Sequence, residues 1–173
     1  LMRQKNIVLI GMPGAGKSSI GVLLAKALGK AFIDTDLLIQ AREGRLLQEI
    51  ISEQGIEHFL AIEAEVLMGV QVANSVIATG GSAIYSDQAM AHLKQNGIIV
   101  YLKLTYEEIE RRINNMSSRG IAIAKGKTLF DLYQERVPQY EQQADLTLDC
   151  SGRSIEESVQ LTKEELERRY REE

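Results

Sequence analysis

Short apolar runs alternate along the chain with longer stretches whose apolar residues recur every three or four positions. The runs are Ile7–Ile10, Phe32-Ile33, Val76-Ile77-Ala78, Ile98–Leu104 and Leu146–Leu148. Apolar runs of this length, bounded by glycine and polar residues, read as strands buried on both faces. The periodic stretches read as helices: Ser19 to Leu28, Leu46 to about Ala73, Thr105 to Asn114, Thr128 to Gln143 and the charged tail Thr162 to Glu173. In the second of these, Leu46, Leu47, Ile50 and Ile51 make one stripe, Gly55 breaks it, and Ile56, Phe59, Ile62, Val66, Leu67 and Val70 make another. Pro138 is expected to bend or interrupt its helix. Ser154 with Glu157 forms a capping box, and alternating charges in the tail suggest i,i+4 pairs. Strand alternating with helix predicts an α/β fold of three αβα layers around a five-stranded, mainly parallel sheet.

Ligands of such sheets sit at the carboxyl ends of the strands, so the loops there hold the candidate chemistry. After the first strand comes Gly11-Met12-Pro13-Gly14-Ala15-Gly16-Lys17-Ser18, followed by Ser19 and a helix. Strand, glycine loop and helix with G-x-x-x-x-G-K-[ST] spacing is a phosphate-binding P-loop. Its backbone N–H groups and the helix N-terminus favour an anion. Lys17 would reach the β- and γ-phosphates and Ser18 would coordinate Mg²⁺. After the second strand, Asp34-Thr35-Asp36 offers one carboxylate for Mg²⁺ or its water and one to accept a hydroxyl proton. Asp34 is equally suited to capping the next helix. After the third strand, Thr79-Gly80-Gly81-Ser82 either permits close approach to a ligand or is a simple turn. Weak periodicity from Asn114 to Lys127 suggests a lid, with Arg119 reaching the transferring phosphoryl group or merely solvated. His58 is assigned no chemistry.

Composition narrows the class. A chain of 173 residues fits one domain, 1–173, and a net charge of −4 argues against a nucleic-acid-binding surface. No apolar run approaches the ~20 residues of a membrane span. Cys150 is the only cysteine, so no intrachain disulfide is possible, and a cytoplasmic protein is expected. Few aromatic residues and no obvious apolar patch suggest a monomer.

Together these segments resemble the shikimate kinase family, small P-loop kinases of nucleoside-monophosphate-kinase architecture. The resemblance spans nearly the whole chain. It rests on the P-loop, Phe32-Ile33-Asp34-Thr35-Asp36, Phe59 with Ile62-Glu63-Ala64-Glu65, Ala78-Thr79-Gly80-Gly81, and Glu135-Arg136-Val137-Pro138-Gln139-Tyr140. It implies transfer of the ATP γ-phosphoryl to a hydroxyl of shikimate, in aromatic amino-acid biosynthesis. By the same resemblance Asp34 and Ser18 hold Mg²⁺, and Asp36 binds substrate hydroxyls as base or orienting acceptor. Gly80 and Gly81 bring N–H groups to the substrate, and Arg136 pairs with its carboxylate. Arg119 is the lid arginine, while Arg112 and Arg153 flank the adenine. A substrate-binding insertion is expected at about 37–73 and the lid at about 114–127.

Three departures stand out. The family's Phe-Arg pair, whose arginine is a second clamp on the carboxylate, is Phe59-Leu60 here. The glycine triplet is Gly80-Gly81-Ser82, and the lid's Arg-Pro-Leu is Arg119-Gly120-Ile121. A charge-assisted bond contributes roughly 1.5–3 kcal/mol, so Leu60 predicts an acceptor site weakened about ten- to a hundredfold, or altered. Same-face helix neighbours of Leu60 are Ile56, Glu57, Glu63 and Ala64, none of them cationic. Shikimate is the expected acceptor. The alternatives are a sister kinase for another polyol or hydroxy acid, a nucleotide-binding homologue without chemistry, and a nucleoside-monophosphate kinase.

Overall fold

The computed structural model describes residues 3–115 and 121–171. Five strands form the sheet: β1 (Asn6–Ile10), β2 (Ala31–Asp34), β3 (Ser75–Ala78), β4 (Gly97–Lys103) and β5 (Leu146–Asp149). Their order is β2-β3-β1-β4-β5 and every pairing is parallel. β1, apolar from Ile7 to Ile10, pairs on both sides, with Val8 opposite Ile77 of β3 and Ile99 of β4. Every residue of β1 is buried, as a central strand covered on both faces requires.

The crossovers sort the helices. The chain moves one way along the sheet from β1 to β2 and the other way for each later crossover. Right-handed connections therefore put α1 (Lys17–Leu28) on one face. The opposite face takes α4 (Ile56–Met68), α5 (Asp87–Lys94) and α7 (Leu129–Gln143), with α2 (Thr35–Glu43), α3 (Leu47–Gln54) and α6 (Tyr106–Asn114) in the same connections. The C-terminal α8 (Ile155–Tyr170) returns to pack on α1. The αβα layering expected from the sequence is thus present, with a wholly parallel sheet.

Two apolar clusters result. The main core surrounds the sheet; a smaller one, built on Ile39, Leu47, Ile50, Phe59, Ile62 and Ala122, lies within α2–α4 and against the 121–123 segment. Gly55, at φ 87°, ends α3 and starts α4, as its break in the apolar stripe predicted. The expected interruption at Pro138 does not occur: α7 runs through it. Proline removes one backbone donor, but Arg136 and Tyr140 on either side are fully buried, and this anchoring keeps both halves in one helix. The Ser154–Glu157 and Thr128–Asp131 capping boxes start α8 and α7. The tail charges pair as Arg168–Glu165 and Arg171–Glu167.

Candidate active site

The carboxyl ends of β1, β2 and β3 open into a cavity of about 940 Å³. Its floor is the glycine loop. Gly16, at φ 88° and ψ 19°, sits in the left-handed region as the N-cap of α1, a conformation that leaves the first N–H groups of α1 unobstructed by a side chain. Pro13, Gly14, Gly16, Lys17, Ser18 and Ser19 line the cavity. Met12 and Ala15 instead turn their side chains into the core, and the Ala15 N–H donates to the Met12 carbonyl, 3.1 Å away. Gly11 leaves β1 against the Leu102 carbonyl, 2.9 Å from where a Cβ would stand. These three residues shape the loop from beneath.

The Lys17 ammonium is buried and donates to the carbonyls of Gly11 (2.5 Å) and Met12 (2.8 Å). Asp34 serves two partners at once. Its Oδ1 accepts the Asp36 N–H at 3.0 Å, which caps α2, and its Oδ2 accepts the Ser18 hydroxyl at 2.7 Å. The two residues expected to hold a metal therefore touch, and the capping role accompanies that contact. Arg112 donates to the Gly14 carbonyl at 3.2 Å, so its guanidinium lies over the loop; Arg153 lines the far end of the cavity beside Ser154 and Ile155. Arg119 lies outside the described residues.

The other end of the cavity is built on the Gly80-Gly81 turn. A Cβ on Gly80 would stand 2.8 Å from Asp36 Oδ1 and 2.9 Å from Glu63 Oε2. One on Gly81 would meet an Arg136 guanidinium nitrogen at 2.8 Å and Pro13 Cδ at 2.8 Å. A side chain at either position would have to displace these groups, so glycine keeps the approach close. Arg136 is 1% exposed. It is aimed by donation to the Tyr85 hydroxyl (3.1 Å) and the Ala122 carbonyl (2.8 Å), with its charge over the Tyr85 ring. The Tyr140 hydroxyl donates to the Gly81 carbonyl at 2.5 Å and pins the turn to α7. Thr79 donates back to the Leu9 carbonyl at 2.8 Å.

Sequence reasoning assigned no role to Glu63. It is 2% exposed and lines the cavity. Its Oε1 accepts the Ser82 hydroxyl at 2.6 Å, while Oε2 is buried without a hydrogen-bond partner. Burial, reinforced by the nearby Asp36 charge, pushes its carboxyl up to about 7. The signal was a glutamate inside the apolar stripe Phe59, Ile62, Val66. Leu60 differs from expectation. It is half-buried against the small cluster around Phe59 and Ile62 and is not among the cavity-lining side chains. Among the described residues, the cations lining the cavity are Lys17, Arg112, Arg136 and Arg153, and Arg136 alone lies at the Gly80-Gly81 end.

With this geometry in view, the chain's relatives agree with one another. The shikimate kinase family model matches residues 13–167. A shikimate kinase of Dehalococcoides mccartyi is 34% identical over 169 residues, covering 96% of each chain. One of Caldanaerobacter subterraneus is 38% identical over 156 residues, 88% of this chain and 91% of that one. Among solved structures, shikimate kinase from Acinetobacter baumannii in complex with shikimate superposes with a TM-score of 0.86 at 30% identity, over 96% of this chain and 95% of the other. Sequence likeness at this coverage, carried by a matching parallel sheet and P-loop, places this chain in the shikimate kinase family.

Proposed function

We propose that this chain is an ATP- and Mg²⁺-dependent kinase that transfers the γ-phosphoryl group to a hydroxyl of shikimate. One observation carries the reading: a single cavity joins the P-loop to Asp36, Gly80, Gly81 and Arg136, an anion cradle facing a hydroxyl- and carboxylate-binding end. The cytosol suits it, since its one cysteine, Cys150, is a buried free thiol.

The cation site fits Mg²⁺. Ser18 and Asp34 supply adjacent oxygen donors, and Mg²⁺ takes few protein ligands, keeping waters and phosphates for the rest. Among the described residues no cluster of three His, Cys, Asp or Glu offers a competing metal cage. When bound, Mg²⁺ would neutralise charge on the β- and γ-phosphates. The chain's own residues do the remainder. Loop N–H groups and the α1 N-terminus hold the phosphates. Lys17 exchanges its loop carbonyls for phosphate oxygens and stabilises charge on the transferring group. Asp36 orients the acceptor hydroxyl and accepts its hydrogen bond. Arg136, already fixed by Tyr85 and Ala122, pairs with the acceptor carboxylate. By the family resemblance, Arg119 would add its charge at the transferring phosphoryl group.

Leu60 favours a second reading, a sister kinase for a less acidic polyol or hydroxy acid, because Arg136 is the one described cation at the acceptor end. The deciding measurement is ADP release from Mg·ATP with shikimate, in the wild type and in Leu60→Arg. Turnover in the wild type, with KM lowered about ten- to a hundredfold by arginine, supports shikimate as acceptor. Turnover in Leu60→Arg alone supports the sister kinase. No turnover in either variant would overturn the shikimate assignment.

A further inference from the structure

Among the described residues, the acceptor end of the cavity holds two carboxylates, Asp36 and Glu63, and one guanidinium, Arg136. Asp36 Oδ1 and Glu63 Oε2 converge on Gly80, at 2.8 Å and 2.9 Å from the same point. A substrate carrying a carboxylate of its own would add a third negative charge there. Among the described residues no second clamp balances it: position 60, which shares a helix face with Glu63 at i,i+3, is leucine.

The hydrogen bonds resolve how Glu63 fits such a site. Ser82 Oγ lies 2.6 Å from Oε1, and with Ser82 as the donor the proton of a neutral Glu63 sits on Oε2. Oε2 is buried, has no hydrogen-bond partner and faces the Gly80 turn. A buried carboxylate oxygen left without a donor is costly, whereas a hydroxyl in the same place is a donor directed at the Gly80 turn beside Asp36. Among the described residues, the charged and titratable groups around it are Asp36 on α2, Lys17 on α1, and Arg136 and Tyr140 on α7. Asp36 opposes ionisation of Glu63, and Arg136 and Lys17 favour it, but burial outweighs them all.

We propose that Glu63 works as a neutral carboxylic acid whose Oε2 hydrogen is donated to an acceptor oxygen beside Asp36, with Ser82 fixing its orientation. This builds on the kinase reading above and makes Glu63 and Ser82 determinants of specificity in this chain. A neutral donor takes over part of what a second cation would do for an acceptor carboxylate, and it leaves Asp36 as the site's one committed base. Binding of the acceptor then requires the proton to stay on Glu63.

The test is the pH profile of kcat/KM for shikimate, run beside the carboxylic-acid carbonyl band in infrared difference spectra. In the wild type, kcat/KM should hold level up to about 7 and then fall toward tenfold per pH unit, while the KM for ATP stays constant. Glu63→Gln keeps a neutral side chain with an N–H donor. Its shikimate KM should lie within about threefold of wild type at acid pH and lose the alkaline fall. Ser82→Ala removes a hydrogen bond that favours the carboxylate, so the inflection should move upward. Leu60→Arg should move it downward by placing a cation on the same helix face. The carbonyl band should be present near pH 6 in the free protein and absent in Glu63→Gln. A wild-type profile that superimposes on that of Glu63→Gln, or a missing band, overturns the proposal. If Glu63→Gln does not fold, an unmoved inflection in Ser82→Ala overturns it as well. Should shikimate bind to neither wild type nor Leu60→Arg at any pH, the acceptor assignment falls by itself. The band then decides the state of Glu63: present supports the neutral donor and absent overturns it.

Discussion

A carboxyl group whose native pKa lies above its unfolded value binds more protons folded than unfolded. Glu63 is such a group, raised from 4.5 to about 7 by burial. Its contribution is therefore complete below the unfolded value and is lost as pH rises through the native one. Glu63→Gln escapes this loss. Its stability relative to wild type should grow between about pH 4.5 and 7 and level off above, by an amount on the order of 3 kcal/mol. Urea unfolding of both proteins across that range measures it, and parallel curves would refute the assigned burial. Lys17 makes the opposite kind of prediction. In the proposed mechanism its ammonium exchanges two loop carbonyls for phosphate oxygens. Lys17→Met should lower kcat on the order of a thousandfold. Unchanged turnover would exclude the mechanism.

The elements that meet at the Gly80-Gly81 turn come from two crossovers: between β2 and β3, α2 brings Asp36 and α4 brings Glu63, and between β4 and β5, α7 brings Arg136 and Tyr140. The turn works because it has no side chains. Gly80→Ala would drive a methyl group against Asp36 and Glu63, while the P-loop is contacted from Gly81 and stays in place. The expected result is a shikimate KM raised at least about tenfold with the Mg·ATP dissociation constant little changed. Equal losses for both substrates would mean that the turn shapes the whole cavity. On α7, Pro138 shows how packing overrides local preference: the helix continues through a residue that lacks its donor, between a buried arginine and a buried tyrosine.

For the whole molecule, the nucleotide end and the acceptor end are separate devices joined by one cavity. A ligand that binds only the folded chain stabilises it by mass action, about 2.7 kcal/mol at a hundredfold excess over its Kd. For a chain of this size that is a rise in Tm of about 5–10 °C. A non-hydrolysable Mg·ATP analogue should produce such a rise in thermal melts of the wild type. In Ser18→Ala the rise should shrink and lose its dependence on Mg²⁺, because the Ser18–Asp34 donor pair is broken. A rise that ignores Mg²⁺ in the wild type would reject that pair as the cation site.

What the sequence by itself determined is local. The loop Gly11–Ser18 needs conformations only glycine supplies freely, as Gly16 at φ 88° shows. The apolar runs located five strands within one or two residues, and their alternation with helical periods specified a parallel sheet; β1, β3 and β4 are buried, while the edge strands β2 and β5 are only partly so. The Asp34 and Ser154 caps were likewise written into adjacent residues. The tertiary structure alone decided which side chains meet. Ser82 reaches Glu63 across 19 positions and Ser18 reaches Asp34 across 16, through helix rotations that no local pattern encodes. Leu60 sits against the small apolar cluster rather than lining the cavity for the same reason. A helix stripe wide enough to bury Phe59, Ile62 and Glu63 leaves open which flank faces the ligand, and only packing against α2 and the Gly80-Gly81 turn fixes it.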